Sequence, residues 1–232
     1  MSTAERETGK STTRRSPGRP RVPFDRIIAT ALAIADEEGP SALTMRSLAQ
    51  RLDTSTAVLY RAVADRAELV AHVVDRVFGE IVLDESISDD DWQSACIDAT
   101  EAMFDAMSRH RGIAPLLIEQ IPVGPNALDL REHFLSVLLG NGFPPAAAAR
   151  SYTILARYTL GFAAQLRTED PTEEAEAASL SALYHHLDPV RFPATVAVAD
   201  TLPSQTLAEE FRHGLRLLVA GLAPLREAGS TV

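Results

Sequence analysis

At 232 residues, with 46% hydrophobic and 23% charged side chains, the chain has material for one small and one medium domain around packed cores. No run of about 18 apolar residues occurs, which excludes a membrane-spanning helix, and the lone Cys96 excludes an internal disulfide. The net charge of −10 argues against nucleic acid until its distribution is read: residues 1–66 hold 11 Lys or Arg against 8 Asp or Glu, a balance of +3, which leaves −13 for the rest.

Residues 1–22 are rich in Ser, Thr, Arg, Gly and Pro and read as a flexible basic arm. They lack the apolar stretch of a secretion signal, so the expected location is the cytoplasm. In Gly18-Arg19-Pro20-Arg21, proline holds the chain extended. Arg19 and Arg21 could then enter a narrow A·T minor groove or add only general phosphate attraction. From Phe24 onward Ile27, Ile28, Ala31, Leu32 and Ala35 recur at helical spacing, and Gly39-Pro40 ends the run. A second helix follows with Thr44 as N-cap and Leu48, Ala49 and Leu52 facing inward. Asp53-Thr54-Ser55 is a turn, where Asp53 tolerates a left-handed conformation less comfortably than Gly would. A third short helix runs from Ala57 to Ala62. Asp65 and Glu68 have capping-box spacing at the head of a fourth helix reaching about Leu83.

Beyond the polar break at Ser86–Asp91, periodicity predicts helices at about 91–108, 111–118, 127–140, 145–167, 174–187 and 205–222, with Pro- and Gly-rich breaks between them. The stretch Thr195-Val196-Ala197-Val198 is the one strand candidate, too isolated to form a sheet. The expected fold is all-α: a helix-turn-helix domain over 23–70 and a helical ligand-binding and dimerisation domain over 71–226.

Two short helices joined by a tight turn and braced by a longer first helix are the parts of a helix-turn-helix, whose second helix lies in the DNA major groove. Here Val58 and Leu59 can pack inward while Ser55, Thr56, Ala57, Tyr60 and Arg61 face out. Hydroxyls and Arg suit base edges and phosphates, and Ala57 suits a thymine methyl. The same spacing also fits an ordinary three-helix cluster with a polar outer face.

Phe24 to Phe78 resembles the DNA-binding domain of the tetracycline-repressor family, notably in Ala42-Leu-Thr-Met-Arg-Ser-Leu-Ala-Gln-Arg-Leu52 and Val58-Leu-Tyr-Arg-Ala-Val63. Asp91-Trp92-Gln93, Arg109-His110-Arg111, Gly142-Phe143, Tyr158-Thr-Leu-Gly161 and Phe211 to Leu218 are similar to stretches of the family's tetracycline-binding members. The resemblance implies a homodimeric repressor that binds a palindromic operator through Arg46, Thr54, Ser55, Thr56, Ala57, Tyr60 and Arg61. It also implies that Arg66 holds a phosphate.

The stripe Leu207, Phe211, Leu215, Leu218 and Leu222, with Gly214 and Gly221 beside it, reads by itself as core or interface. The resemblance makes it a dimer interface together with the helix at 145–167. In tetracycline-binding members a His, a Thr and a Glu of the other subunit hold a magnesium–drug complex. The matching positions here are Leu117, Gln120 and Gln165, so neither a metal nor a cofactor is expected, because magnesium prefers carboxylate and water oxygens. A largely apolar small-molecule effector is expected instead, lined by Val82, Met103, Leu117, Gln120, Tyr152 and Tyr158. Met103, Met107 and Trp92 suit the core equally. His110, His133 and His213 read as surface or helix-packing residues, and Cys96 as buried and inert.

Two rival readings stand beside this one. A DNA-binding regulator without an effector would share every feature of the N-terminal part. An α-helical enzyme would need a nucleophile–base pair or carboxylate cluster, and none has recognisable spacing.

Overall fold

The computed structural model describes residues 22–84, 86–88, 90–119, 121–166 and 173–227. Its regular elements are helices throughout these residues. α1 (Phe24–Glu38) buries Ile27, Ile28, Ala31, Leu32, Ile34 and Ala35 and stops at Gly39, whose φ of 88° a side chain would strain. After the single 3₁₀ turn Pro40–Ala42 comes α2 (Met45–Arg51). Thr44 opens α2 with a reciprocal capping box: its Oγ1 accepts from Ser47 N–H, and its own N–H donates to Ser47 Oγ, both at 3.0 Å. α3 (Thr56–Leu59) is a single turn, and α4 (Arg66–Phe78) begins where Asp65 accepts from Glu68 N–H at 2.9 Å. Glu68 reaches back to Ala64 N–H, one residue before the cap, so the expected box is staggered by one.

α4 ends at Phe78, short of the expected Leu83: Gly79 is still helical in φ and ψ, but Glu80 and Ile81 bond back only three residues, and the Glu80 side chain goes to a contact described below. The second part holds α5 (Trp92–Arg109), α6 (Ile113–Glu119), α7 (Pro125–Gly140), α8 (Pro145–Ala163), α9 (Glu173–His185), α10 (Pro193–Ala197) and α11 (Leu207–Glu227). Pro125, Pro145 and Pro193 sit in the first turns of their helices, where a missing N–H costs nothing. The candidate strand at 195–198 is therefore mostly helix, part of α10. α11 runs five residues past its expected end and accommodates Pro224 within its last turns.

α5, α7, α8 and α11 pack on one another around an apolar centre, with α4 reaching in from the first part to touch α5, α6 and α7. Aromatic rings knit this centre: Phe104 stacks on Phe211 at 4.1 Å between centroids, and Trp92 meets Phe143 edge-on at 4.9 Å. α9 and α10 pack on each other. No helix among the described residues is long and apolar enough to cross a membrane.

Candidate DNA-binding head and regulatory core

The turn before α3 is set by Asp53, whose φ of 48° is the left-handed value expected of it. Thr54 N–H closes the turn on Ala49 O at 2.9 Å, and Ala49, 5% exposed, is the small residue at the helix crossing. Leu59 is fully buried and Val58 half-buried, which fixes the register of α3. Ser55, Thr56, Ala57 and Arg61 are exposed, and Tyr60 stands 53% exposed. Arg46 on α2 is exposed and Thr54 is half-buried. A polar, hydrogen-bonding face and a cation thus project from one rigid corner.

Arg66, expected on a phosphate, is turned toward the chain in this structure. Its Nε donates to Leu43 O at 2.9 Å and a terminal nitrogen reaches Pro40 O at 3.4 Å, so the half-buried guanidinium braces the chain between α1 and α2. Leu43 O, just past the 3₁₀ turn, and Pro40 O, which also accepts from Leu43 N–H, draw it inward. Arg19 and Arg21 lie outside the described residues.

Of the residues expected to line a ligand site, Met103 (4% exposed) and Leu117 (8%) sit in the apolar core. Tyr152 lies against Phe134 at 5.8 Å between ring centroids, and its hydroxyl accepts from Arg131 Nε at 3.2 Å. Val82 is instead 82% exposed; the chain has already left α4, and the residue borders a surface cleft of about 450 Å³ with Asp98, Glu101 and Asp105. Tyr158 serves the packing of α8 on α11, donating to Phe211 O at 2.8 Å and stacking on the Phe211 ring. Gln120 lies outside the described residues. Gln165 is exposed and its amide donates to Gly161 O at 3.0 Å.

Sequence reasoning misses Ser151. It is fully buried on α8, and its Oγ has no hydrogen-bond partner among the described residues, whereas the buried Thr100 and Thr159 hydroxyls each donate to the carbonyl four residues back. Its only sequence signal is a hydroxyl in the same helical stripe as Ala148 and Leu155. Burial pushes the Cys96 thiol up to about 12, leaving it a small inert hydrophobe.

Burial within the single chain divides the stripe expected at the dimer interface. Phe211 and Leu215 are fully buried and Leu222 is 6% exposed, all within this one chain, because their face of α11 turns toward α5 and α8. Leu207 and Leu218 are half-buried. Gly214 makes room for Tyr158 of α8 in the same chain: a Cβ there would stand 3.1 Å from Tyr158 Cζ and closer to its hydroxyl. The outward face of α11 carries Leu217 (63% exposed), Gly221 and Leu225, and that of α8 carries Ile154 and Gly161. At Gly161 and Gly221 a Cβ would meet open space, with nothing within 4 Å.

His110 is not a simple surface residue. It stands at the end of α5 with Nδ1 2.7 Å from Asp36 of α1 and Nε2 2.9 Å from Glu80. Burial alone would lower its pKa, but the hydrogen bonds to Asp36 and Glu80 outweigh it, and the imidazole titrates above its ordinary value. Beside it Gly112 N–H donates to Asp36 Oδ1 at 3.3 Å. On the other side of α4, Asp75 accepts from Asn126 Nδ2 at 2.9 Å and from Ala127 N–H at 3.1 Å, capping α7 from a neighbouring helix.

A helix-turn-helix with an exposed reading helix, joined through α4 to a larger helical core, defines a one-component DNA-binding regulator. The chain belongs to the tetracycline-repressor (TetR) family of bacterial regulators. Residues 27–73 match the family described as "Bacterial regulatory proteins, tetR family", and residues 86–226 match "Tetracyclin repressor-like, C-terminal domain". Similar proteins include the HTH-type transcriptional repressor DrrR1 of Streptomyces coeruleorubidus, 27% identical over 92% of this chain and 83% of that one. The tetracycline repressor protein class E of Escherichia coli is 26% identical over 88% of this chain and 92% of its own. Among solved structures, apo ActR of Streptomyces coelicolor superposes with a TM-score of 0.80 at 29% identity, covering 91% of this chain and 99% of that one. ActR in complex with actinorhodin gives 0.78 at 31% identity, covering 88% and 97%.

Proposed function

We propose that this chain is a homodimeric, cytoplasmic repressor that holds a palindromic operator through α3 and is released by a small, largely apolar effector. The observation that carries it is the division of α3: Leu59 buried, with Ser55, Thr56, Ala57, Tyr60 and Arg61 presented outward. Two such helices about 34–36 Å apart read successive major grooves, and two-fold symmetry demands a palindrome. The domain division stands near residue 70, with α4 shared as the connecting lever. The outward faces of α8 and α11, bearing Ile154, Leu217 and Leu225, would form the helix bundle between subunits.

The effector site is placed among Met103, Leu117 and Tyr152, with the unpartnered Ser151 hydroxyl orienting a polar group of the ligand. Apolar walls and the absence of an imidazole or carboxylate at Leu117 and Gln165 speak for a metal-free ligand. ActR has been solved in complex with actinorhodin and with (S)-DNPA, which supports a small-molecule effector here. The ligand acts only through a difference in affinity for the DNA-bound and released states. A regulatory rather than catalytic role accords with the family.

Selection of duplexes from a random pool by the full-length protein is the test. Recovered sites should be palindromic, and Arg61→Ala should weaken binding by about 1–3 kcal/mol per half-site while leaving the fold intact. With Arg61 on a base and Arg46 of both subunits on phosphates, log K should fall with log salt at a slope of at least roughly −2 in magnitude. Non-palindromic recovery or unchanged binding by Arg61→Ala overturns the reading.

A further inference from the structure

The seam between the DNA-binding head and the core is held by a three-residue cluster that draws on separate parts of the chain. Asp36 comes from the last turn of α1, Glu80 from the segment after α4, and His110 from the end of α5. Both imidazole nitrogens lie within hydrogen-bond distance of a carboxylate oxygen, at 2.7 and 2.9 Å. An ionised carboxylate only accepts, and a neutral imidazole has only one N–H to give. The arrangement is therefore complete only when the ring is protonated. The side chains of His110, Asp36 and Glu80 are 18%, 24% and 36% exposed, so solvent screens the cluster in part.

We infer that His110 is the positioning residue that fixes the head on the core, and that proton uptake on its ring biases operator binding through that seam. The inference rests on the repressor reading and adds to it a second input besides the effector.

Other charged groups surround the cluster. On α1, Glu37 and Glu38 are occupied by Arg51 of α2. Glu80 is flanked on one side by Asp75, Arg76, His72 and Asp25, and on the other by Asp98, Glu101, Asp105 and Arg109. Asp75 is committed to the start of α7. Arg109 and Arg111 neighbour His110 in sequence, and α6 brings no charge from Ile113 to Ile118. Burial works against the charged ring, but the hydrogen bonds to Asp36 and Glu80 outweigh it and hold the imidazole above its ordinary value. If the seam differs between operator-bound and released protein, linkage requires that protons and operator affect each other's binding.

The test uses the full-length dimer and a duplex recovered by selection. NMR titration of the histidines should give His110 a pKa above about 6.5, and Asp36→Asn should bring it down. Operator affinity, measured by fluorescence anisotropy between about pH 6 and pH 9, should bend where His110 titrates in wild type, by several-fold, and lose that bend in His110→Gln. Wild-type and His110→Gln profiles that run parallel overturn the inference. Should His110→Gln fail to fold, the same comparison is made with Asp36→Asn. A protein that selects no duplex refutes the repressor reading itself, and an unshifted His110 refutes the cluster without touching that reading.

Discussion

Replacing Gly112 with Ala attacks the head–core seam at a single point. A Cβ at this position would stand 2.5 Å from the carbonyl carbon of Ala35 and closer still to its oxygen, both backbone atoms of α1. Neither can swing aside as a side-chain tip would. Either α6 lifts from α1 or the head rotates, and the Gly112 N–H bond to Asp36 at 3.3 Å is stretched with it. Overpacking of this kind costs about 1–3 kcal/mol. For a chain of this length each kcal/mol lowers the melting temperature by roughly 2–4 °C, so Gly112→Ala should melt about 2–12 °C below wild type. Gly140, at the end of α7 with nothing within 4 Å of a would-be Cβ, is the control, and Gly140→Ala should be neutral to within about 1 kcal/mol. Circular dichroism melts of the two variants decide the matter. A Gly112→Ala protein that melts with wild type would mean that Gly112 does not lie against the Ala35 backbone of α1.

Removing the Asp75 carboxylate in Asp75→Ala uncaps α7 and should cost about 1–2 kcal/mol, read as an earlier urea midpoint with unchanged slope. Because the His110 pKa is raised in the folded state, its stabilisation is complete below its unfolded value and is lost as pH rises through its folded value. Urea titrations of wild type should therefore lose stability in that window, and those of His110→Gln should not.

Much of the head is legible where a local signal has one physical solution, although α3 ends at Leu59 rather than the expected Ala62. Thr44 with a hydroxyl three residues on caps a helix, Gly39-Pro40 ends one, and Leu59 must be inward if Tyr60 and Arg61 are to be outward. Arg66 escapes because a basic residue at a helix start suits a phosphate and a leftover carbonyl equally, and only packing decides. His110 escapes for a related reason: its two partners lie 74 and 30 residues away, beyond any periodicity. α11 carries two apolar faces, and family resemblance points to the stripe with the larger side chains, Phe211 and Leu215, as the interface although bulk favours the interior. Ser151 cannot be singled out by pattern, since a buried hydroxyl reveals itself only when its neighbours' bonds are counted.

Gly221 separates the two readings of α11. In a lone chain its α-carbon faces open space, and Ala is better than Gly in a helix by about 1 kcal/mol, so Gly221→Ala should stabilise. If the outward face, with Leu217 and Leu225 on the same helix, is packed against a second subunit, the added methyl meets that partner and forces the bundle apart. Exposure of 63% for Leu217 already favours the second case, because a large apolar side chain left in water on a regular helix forgoes about 1.5–3 kcal/mol of burial. Gly221→Ala is therefore expected to weaken dimerisation while leaving helix content unchanged, as read by sedimentation across a dilution series. Leu217→Asp should do the same more strongly, whereas Leu215→Ala, on the inner face, should lower stability by about 2–5 kcal/mol as a core cavity does. A Gly221→Ala variant that gains stability and dimerises as wild type would show that this face meets no partner.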